Sequence, residues 1–535
     1  MLKEAVVESQ AKREGKVEIS LFPPESPAYK WWVTLTLMLG MTTTAMSVTV
    51  INIALPSIMT ALRADLSTAQ WMVTAPMIAR TLMMPTVGWL GGMLGNRGLY
   101  MVSLGLFISS STLCGTAWSS DSLIFFRIIQ GLAGGPMMPI AMAILYQTFP
   151  PNLRGTAMGI WMFGFSFGQA IGPTLGGYLI EHLSWRSVFY INIPFGLLSL
   201  ALCFFVMPKT ESRAGFSVDF IGLLSMGTFV TTLLLALNEG RTEGWDSQYI
   251  LTLFTVATVS FIIFLATELT VKNPVVDLMI FSNLPFTMST TVRFFNGIAM
   301  MSMNFLITIF LQSVLHYTPL QAGILMFPAA IGMGASGLIS GRLADKFDPR
   351  ALIIMGLVMY SLVLYRFSTI NPLTTTGFLL IIMAIRGFST SFVGAPLSTL
   401  ALSTLLEQKT RMGTGLMNLI QGLGGSFGVA MMGTILQRRE AVHMTLYSQD
   451  PALLSDTTRG FVKNLTGIFQ WNGDRPELAR VKSTAFLRNM LATEARQNAY
   501  QECFAIVAAL VLFSIIPVIL VGKRKDIQKP ERGAD

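Results

Sequence analysis

Charged residues are scarce in this sequence, and their scarcity excludes a water-soluble globular protein. Only 12% of the 535 residues are charged and the mean hydropathy is +0.59, whereas about 25% of the residues in a soluble domain are charged. Apolar runs of about 20 residues, each long enough to cross a bilayer core, recur from Trp31 to Leu520. The composition therefore predicts an all-α membrane protein with many transmembrane helices, because a β-barrel would show short alternating segments.

Cysteine and histidine are also rare, with three of each in the chain. Cys114, Cys203 and Cys503 fall in apolar segments, and their spacing fits neither a disulfide framework nor a metal site. No nucleotide-binding loop and no Ser/His pair is present. We therefore expect no enzyme, no cofactor and no metal. Any work that the protein does must be driven by an ion gradient or by the gradient of its own substrate.

The apolar runs predict fourteen transmembrane spans. They lie near 32–56, 71–92, 98–118, 122–147, 156–180, 188–207, 218–237, 249–268, 285–314, 321–342, 351–370, 375–404, 412–436 and 502–521. The predicted organisation is a tail (1–30), a six-helix bundle (31–208), two linker spans (209–270), a second six-helix bundle (271–521) that includes an external segment (438–501), and a second tail (522–535). Residues 476–500 have the pattern of an amphipathic helix. Because the first thirty residues are polar and charged, we expect no cleavable signal peptide.

The net charge of +9 does not indicate nucleic-acid binding, because the basic residues stand at the ends of spans. Lys and Arg are concentrated in the two tails and in alternate loops, whereas the opposite short loops hold few of them. The loops rich in basic residues contain Arg97, Arg154, Lys209, Arg213, Lys272, Lys346, Arg350, Lys409 and Arg411. By the positive-inside rule, both termini are expected in the cytoplasm.

The two halves of the sequence resemble each other. The segments "GWLGGMLGNRG" (88–98), "RIIQGLAGGP" (127–136) and "GIWMFGFSFGQAIGPTLGG" (159–177) have counterparts that begin at Gly341, Arg386 and Gly415, at offsets of about 250–260 residues. Such repeats are typical of secondary transporters, whose halves rock around a site near the bilayer midplane.

Glycine is concentrated in the fifth span. Gly164, Gly168, Gly172 and Gly176 recur every fourth residue and therefore share one helix face, with Gly177 and Pro173 beside them. A face without side chains lets a neighbouring helix approach closely, and Pro173 permits a bend. We expect a hinge here and a close contact between the two halves that seals one access route. The simpler alternative is ordinary packing of a helix pair.

With these motifs the chain resembles the major facilitator superfamily, and more narrowly its fourteen-span drug:proton antiporters of the EmrB/QacA type. "GQAIGPTLGG" matches the antiporter signature of the fifth span, and other matching segments follow along the chain. They are "VINIALPSI" (50–58), "LIFFRIIQGLAGGPMMP" (123–139), "WRSVFYINIPFG" (185–196) and "NPVVDLMIF" (273–281). The long external segment favours EmrB-like permeases. The resemblance implies efflux of small hydrophobic substrates across an inner membrane, with a membrane-fusion adaptor (EmrA-like) and an outer-membrane channel (TolC-like) as partners.

Two positions depart from the family pattern. Ser47, five residues before Asn52, replaces the usual acid of the first span, and Gly92 replaces the acid of the loop after the second span. The second-half copy of that loop keeps its acid. The resemblance therefore implies an asymmetric conformational clamp on the cytoplasmic side, formed by Gly88 and Arg97 in the first half and by Gly341, Arg342, Asp345 and Arg350 in the second. Simple topology-setting charge is the alternative.

Arginine is the charged residue found deep within the spans. A charge in hydrocarbon costs at least about 2.5–3.5 kcal/mol, so Arg80, Arg127, Arg293 and Arg386 are candidates to face a cavity. Such a cavity should attract carboxylate or phosphate amphiphiles, which arginine binds with two parallel hydrogen bonds. The alternative is that one or two of these arginines pair with backbone carbonyls or with other structural partners. Methionines near the expected cavity suit a site that accepts many apolar shapes.

The proton carrier is left open by the sequence. The resemblance implies a role in proton handling for Arg127, with Gln130 one turn further on, but a guanidinium does not itself titrate near neutral pH. Since Ser47 occupies the usual acid position, Asp121 and the adjacent Glu181 and His182 are fallback candidates. Asp219 and Glu268 stand at span ends, where we expect them to snorkel to the interface. The sequence thus predicts a proton-driven exporter or, alternatively, an exporter of an endogenous lipid or metabolite with weak or absent proton coupling.

Overall fold

The computed structural model describes residues 26–208, 219–271, 274–371, 374–406, 409–449 and 456–521. Across these ranges the regular structure is helical throughout, and no strand occurs. The helices of the first half are α1 (Tyr29–Leu62), α2 (Leu66–Met83), α3 (Val87–Gly115), α4 (Ser120–Thr148), α5 (Arg154–His182), α6 (Ser187–Tyr190) and α7 (Asn192–Val206). Two further helices, α8 (Phe220–Glu243) and α9 (Gln248–Thr270), follow them.

The second half begins after a 3₁₀ turn at Leu278–Ser282. Its helices are α10 (Leu284–Ser313), α11 (Pro319–Lys346), α12 (Pro349–Phe367), α13 (Thr376–Ser403), α14 (Thr410–Ser448), α15 (Asp456–Trp471), α16 (Pro476–Phe513) and α17 (Ile515–Leu520). Each of the fourteen predicted spans corresponds to one or two of these helices, so the all-α fold and the fourteen-span pattern agree with the structure.

Twelve helical segments of the described chain are long and apolar enough to cross a membrane by length and composition. The two predicted spans outside that set are α2 and α5. Both hold many small or polar residues, such as the glycines of α5, which lower their hydropathy without shortening the helix. A helix packed among other spans tolerates such residues because little of its surface meets lipid.

The second and third predicted spans meet at a sharp backbone turn. Helix α3 runs through the predicted boundary near residue 95, where Gly95 adopts φ 71° and interrupts the helical conformation. This left-handed value suits glycine, which lacks a β carbon. The second span is therefore α2 plus the first turns of α3, with a break around Pro85, and the third span is the remainder of α3.

Glycines let α5 lie directly against α1. A β carbon on Gly164 would come within 3.2 Å of Met38, and one on Gly168 would lie 2.7 Å from Ala45 and 2.9 Å from the carbonyl oxygen of Thr42. Gly172 and Gly176 face Thr49 and Val50 in the same way, whereas Gly177 has nothing within 4 Å. The side chain of Pro173 lies outside the described residues.

This packing corrects one expectation. We expected the glycine face of α5 to make the contact between halves, but α1, which fills that face, belongs to the same half. The second half repeats the arrangement. On α14, Gly424 and Gly428 face Phe294 and Ile298 of α10, and a β carbon on Gly425 would lie 2.7 Å from Met301. The sequence repeat is therefore also a repeat of helix packing.

Compact packing divides the chain into two units. The first comprises Met1–Leu223, Ala266–Leu278 and Leu405–Leu416, and the second comprises Leu224–Leu265, Met279–Thr404 and Met417–Asp535.

Each unit has its own apolar core, with Met46, Met72 and Phe189 in the first. Phe310, Phe367, Tyr500 and Phe504 cluster in the second. The sequence-based boundaries at 208 and 270 remain a prediction.

The described residues of the predicted external segment are helical, as predicted for 476–500, but the helices differ from the prediction in extent. Helices α14 and α16 are 39 and 38 residues long, far more than the roughly 20 residues that span a bilayer. Helix α15 was not predicted. Its apolar residues lie on one side, yet none of its residues is buried. In α16 the stretch before residue 495 buries only Ala479 and Ser483.

Substituting Gly168 tests the contact between α1 and α5. Gly168→Val places methyl groups against Ala45 and the backbone of Thr42, and overpacking of this kind destabilises proteins by about 1–3 kcal/mol. Thermal unfolding of the purified protein should therefore begin at a lower temperature. The matched control is Gly177→Val, which enters open space and should unfold like the wild type. Equal effects of both substitutions would contradict the packing described.

Candidate functional site

A buried hydrogen-bond network centres on Arg127 of α4. Its side chain is only 4% exposed. Arg127 Nη1 donates to Gln130 Oε1 at 2.7 Å and to Ser47 Oγ at 3.3 Å, and Nε donates to the carbonyl oxygen of Met72 at 3.3 Å. Arg127 and Gln130 come together because residues three apart share a helix face. The network thereby joins α4 to α1 and α2.

Gln130 extends the network to α3 and α7. Its amide Nε2 donates to the Ser111 hydroxyl, to which Asn192 Nδ2 also donates at 3.4 Å. Sequence reasoning missed both Ser111 and Asn192. A signal for Asn192 was present, since it stands in the quoted segment "WRSVFYINIPFG", but a serine within an apolar span gives no such signal. The side chain of Asn52 lies outside the described residues.

The network contains no carboxylate. Ser47 accepts a hydrogen bond from Arg127 at the position where the family usually has an acid. Arginine is not deprotonated in proteins, so Arg127 carries a positive charge that neutral oxygens and the face of the Phe189 ring, whose centre lies 5.9 Å away, stabilise. A buried guanidinium without a counter-ion attracts an anion or the negative end of a dipole.

Arg80 adds a second positive charge to the same unit. It projects from α2 toward α4, and its Nη2 lies 3.5 Å from the place of a β carbon on Gly134. Arg127 lies on the neighbouring helix α4 of the same unit, and like charges that are close in a water-poor interior repel each other. Within the described part of the chain, Arg80 makes no hydrogen bond and no ion pair, and its side chain is partly exposed. It is therefore the most available of the four predicted arginines.

The other two predicted arginines lie in the second unit and are not brought together. Arg293 of α10 is 2% exposed and donates to the carbonyl of Gly394 and the hydroxyl of Ser398 on α13. Arg386 of α13 donates to Asn304 Oδ1 at 2.9 Å. Arg293 and Asn304 are eleven residues apart on α10, which is about 16 Å along a helix.

Both arginines therefore fasten α13 to α10, which is the alternative that the sequence left open. Each keeps one buried nitrogen without a hydrogen-bond partner in the described structure, Nε in Arg293 and Nη1 in Arg386. Arg80 and Arg127 thus belong to the first unit, whereas Arg293 and Arg386 belong to the second and lie apart from each other there.

The fallback proton carriers are at the surface of the helices. Asp121, Glu181 and His182 are all exposed, and His182 Nδ1 is 3.0 Å from the carbonyl oxygen of Tyr178 in its own helix. Asp219 and Glu268 differ from the expectation, since they are only 8% and 5% exposed. They do not snorkel; protein surrounds them.

The predicted clamp residues have the following surroundings. Arg97 donates to the carbonyl oxygen of Phe204 at 2.9 Å and lies over its ring. Arg350 pairs with Asp348 at 3.2 Å and donates to the carbonyl of Val521 at 2.6 Å. Arg342 is exposed, Asp345 is half-buried and Gly341 is buried. The clamp itself remains a prediction, since Arg97 and Asp345 belong to different units.

Arg411, at the start of α14, makes the contact that the sequence missed. Its Nη1 donates to the carbonyl of Gly91 at 3.0 Å and to Asn96 Oδ1 at 2.8 Å. Beside it, Gly88 faces Met412, whose Cβ would lie 2.8 Å from an added β carbon. An acid at position 92 would have been the obvious partner for Arg411. In its absence, a backbone carbonyl and an amide oxygen satisfy Arg411.

An apolar groove of about 530 Å³ lies between α12 and α13, with Arg366 at its rim. Leu362, Phe378 and Ile381 line it and are exposed. The groove contains none of the four predicted arginines.

These features define a class of protein. Many apolar helices, two repeated glycine-packed bundles and buried arginines without carboxylates characterise a multi-pass membrane transporter rather than an enzyme. The chain belongs to the major facilitator superfamily, whose family model matches residues 37–429. The predicted family and fold are thereby confirmed.

Similar proteins agree with this assignment. The multidrug export protein EmrB of Haemophilus influenzae is 32% identical over 427 residues, which cover 79% of this chain and 84% of the relative. The fatty acid resistance protein FarB of Neisseria gonorrhoeae is 26% identical over 504 residues, 94% of this chain and 98% of the relative. The crystal structure of the human organic anion transporter MFSD10 (TETRAN) has a TM-score of 0.58 and 14% identity, covers 92% of this chain and 100% of its own, and is evidence for the fold alone.

Replacing Arg127 by lysine tests the buried network. A lysine ammonium cannot reproduce the planar fork that bonds Ser47, Gln130 and Met72 together. We expect Arg127→Lys to lower stability by about 1.5–3 kcal/mol, the usual range for hydrogen bonds to a charged group. Thermal unfolding measures this change, and Arg342→Lys at an exposed position is the control. Wild-type stability in Arg127→Lys would contradict the network.

A double-mutant cycle tests the contact between Arg411 and Asn96. Arg411→Ala and Asn96→Ala should each destabilise the protein, and the double variant should lose less than the sum. The expected interaction energy is about 1–2 kcal/mol, since the two residues share a charge-assisted hydrogen bond. The same cycle with Arg342→Ala in place of Arg411→Ala should show none. Additive losses in the first cycle would remove this contact from the description.

Proposed function

We propose that this protein exports toxic hydrophobic compounds across the inner membrane of a bacterium by alternating access, in exchange for protons, and that it prefers anionic amphiphiles. Relatives named multidrug export proteins and a relative named for fatty acid resistance support the export of drugs or toxic compounds. The repeated bundles support alternating access, since such halves move around a common site.

The observation that carries the anionic preference is the state of Arg80. Its guanidinium has no hydrogen bond or ion pair within the described residues, and a second arginine, Arg127, lies on the neighbouring helix. Both belong to the first unit, where the Arg127 network contains no carboxylate. Such a site repels organic cations and favours a carboxylate or phosphate headgroup, which a guanidinium binds with two hydrogen bonds. Methionines on the same two helices, such as Met83 of α2 and Met138 of α4, can adapt to varied apolar tails.

Arg293 and Arg386 have a secondary role in this proposal. Arg293 of α10 bonds α13, and Arg386 of α13 bonds α10. Each arginine also has one nitrogen left for a substrate oxygen. They would assist in the second half, whereas Arg80 makes the first contact.

Orientation and partners belong to the same proposal. The distribution of Lys and Arg supports cytoplasmic termini. By the predicted span boundaries, 11 residues of α14 (438–448) and 26 residues of α16 (476–501) lie beyond the bilayer, which is about 17 Å and about 39 Å of helix. A projection of this size supports docking of an EmrA-like adaptor that leads to a TolC-like channel.

Ser47 favours a second candidate function. Because it replaces the acid of the first span, proton coupling through that position is absent. An exporter of an endogenous anionic lipid or metabolite, with weak or no proton coupling, would also use the Arg80 site. The two candidates differ in substrate range and in their response to a collapsed proton gradient.

Transport in liposomes with an imposed pH gradient tests the proposal. A fluorescent fatty acid analogue and a lipophilic cationic dye are compared in parallel. We expect gradient-driven transport of the anion, lost when an ionophore collapses the gradient, and at least about tenfold slower in Arg80→Gln, because a single charged contact is worth about 1.5–3 kcal/mol. Arg366→Gln, in the lateral groove, is the matched control and should transport normally.

The other possible results of this experiment distinguish the candidate functions. Transport of the cation alone would refute the anionic preference and leave a cation exporter whose arginines are structural. Anion transport that persists without the pH gradient would refute proton antiport and favour the second candidate.

A further inference from the structure

Two buried carboxyl groups meet where α8 begins and α9 ends. Asp219 directly precedes α8 and is 8% exposed, and Glu268 lies in the last turn of α9 and is 5% exposed. The Asp219 Oδ2 and Glu268 Oε1 atoms are buried without a hydrogen-bond partner. Both lie within 3.0 Å of the place that a β carbon on Gly222 would take, so these two oxygens are at most about 6 Å apart. Glycine at position 222 leaves room for both.

The second oxygen of each carboxyl group is held by a backbone amide. Gly222 N–H donates to Asp219 Oδ1 at 2.8 Å, and Val276 N–H donates to Glu268 Oε2 at 3.2 Å. The two carboxyl groups are thus fixed in place with one unpartnered oxygen each.

Charged groups on the neighbouring elements are engaged elsewhere. On the linker after α9, Asp277 pairs with Lys409 at 2.5 Å. At the start of α14, Arg411 bonds Gly91 and Asn96. Within the described residues, neither Asp219 nor Glu268 forms an ion pair, and Lys272 lies outside those residues. Two carboxylates at such a short distance in a water-poor site repel each other. A single bound proton removes this repulsion, and the protonated carboxyl group can then donate a hydrogen bond to the other one.

We propose that Asp219 and Glu268 form a proton-binding site that holds one proton in common, apart from the Arg127 network. The proton comes from water and returns to it, and no bond other than O–H forms or breaks. The pair acts in transport only if the proton antiport proposed above is correct, but its protonation is a property of the folded chain. It supplies the titrating group that Ser47 and Arg127 do not provide.

The site is connected to the loop between the second and third spans. Glu268 holds the amide of Val276, and the next residue, Asp277, bonds Lys409 and, through its N–H, the sulfur of Met412. Arg411, which lies between Lys409 and Met412 in the sequence, donates to Gly91 and Asn96. Loss of the shared proton would push the carboxylates apart and displace the linker at 275–277. Release of the proton is thereby coupled to the position of the loop between the second and third spans.

Infrared difference spectroscopy of the purified full-length protein tests the site directly. A step from neutral to alkaline pH should remove the carbonyl stretch of a protonated carboxylic acid from the wild-type spectrum. The near-isosteric variants Asp219→Asn and Glu268→Gln should each lack this band at neutral pH, because the remaining carboxylate then faces a neutral amide that can donate to it. Glu181→Gln and Asp121→Asn, at exposed positions, should retain it.

Two further measurements make the result independent of mutant folding. Wild-type protein labelled with carboxyl-¹³C glutamate should show an isotope shift of the band. Lys272→Gln should leave the band unchanged. A stronger band in this variant would show that Lys272 neutralises the negative charge of the pair in the wild type. Absence of the band in the wild type, its survival in both pair variants, or its loss on adding Na⁺ or Mg²⁺ at constant pH would overturn the proposal, the last in favour of a cation site.

Transport by the same variants separates this site from the function proposed above. If the wild type exports with the pH gradient and both pair variants do so equally, the pair has no part in coupling, although the antiport stands. If the wild type shows no gradient-driven export but the band titrates and depends on both residues, the proton site stands and the antiport fails. We expect the band of the wild type to titrate, and we expect export by both variants to lose its dependence on the pH gradient.

Discussion

The first half of the molecule depends on burying the guanidinium of Arg127 without a carboxylate. A charge in a water-poor interior must have every donor occupied, or it destabilises the fold. Arg127 therefore fixes the positions of α1, α2 and α4, and Gln130 carries the same requirement to α3 and α7. Five helices converge on one positive centre. The glycine face of α5 then permits that bundle to close around α1.

The two halves share a packing scheme but distribute charge differently. In the first, Arg80 is left without a bond to the described residues, whereas in the second, Arg293 and Arg386 both bridge α10 and α13. The same asymmetry occurs in the loops, where Gly92 has lost an acid that Asp345 keeps. One half thus has a bonded framework of arginines and the other an available cation. The proposed preference for anions rests on this difference.

Much of the fold followed from the sequence because it is local. Helix positions depend on apolar run length, and the pairing of Arg127 with Gln130 follows from a spacing of three residues. The contacts of Arg411 with Asn96 and of Asp219 with Glu268 could not be predicted, since they join residues 315 and 49 positions apart. The glycine face was assigned to the wrong neighbour for the same reason. Spacing identifies a bare helix face but does not say which helix covers it.

The lengths of α14 and α16 have a mechanical consequence. Both continue from the apolar region into the external segment without an interruption, and α16 alone has 38 residues. A continuous helix is a stiff rod of about 1.5 Å per residue, so its 26 residues from 476 to 501 form an arm of about 39 Å. A tilt of only 10° in the span would carry the end at Pro476 sideways by roughly 7 Å. A small rearrangement within the membrane is thus converted into a large displacement at a distance from it.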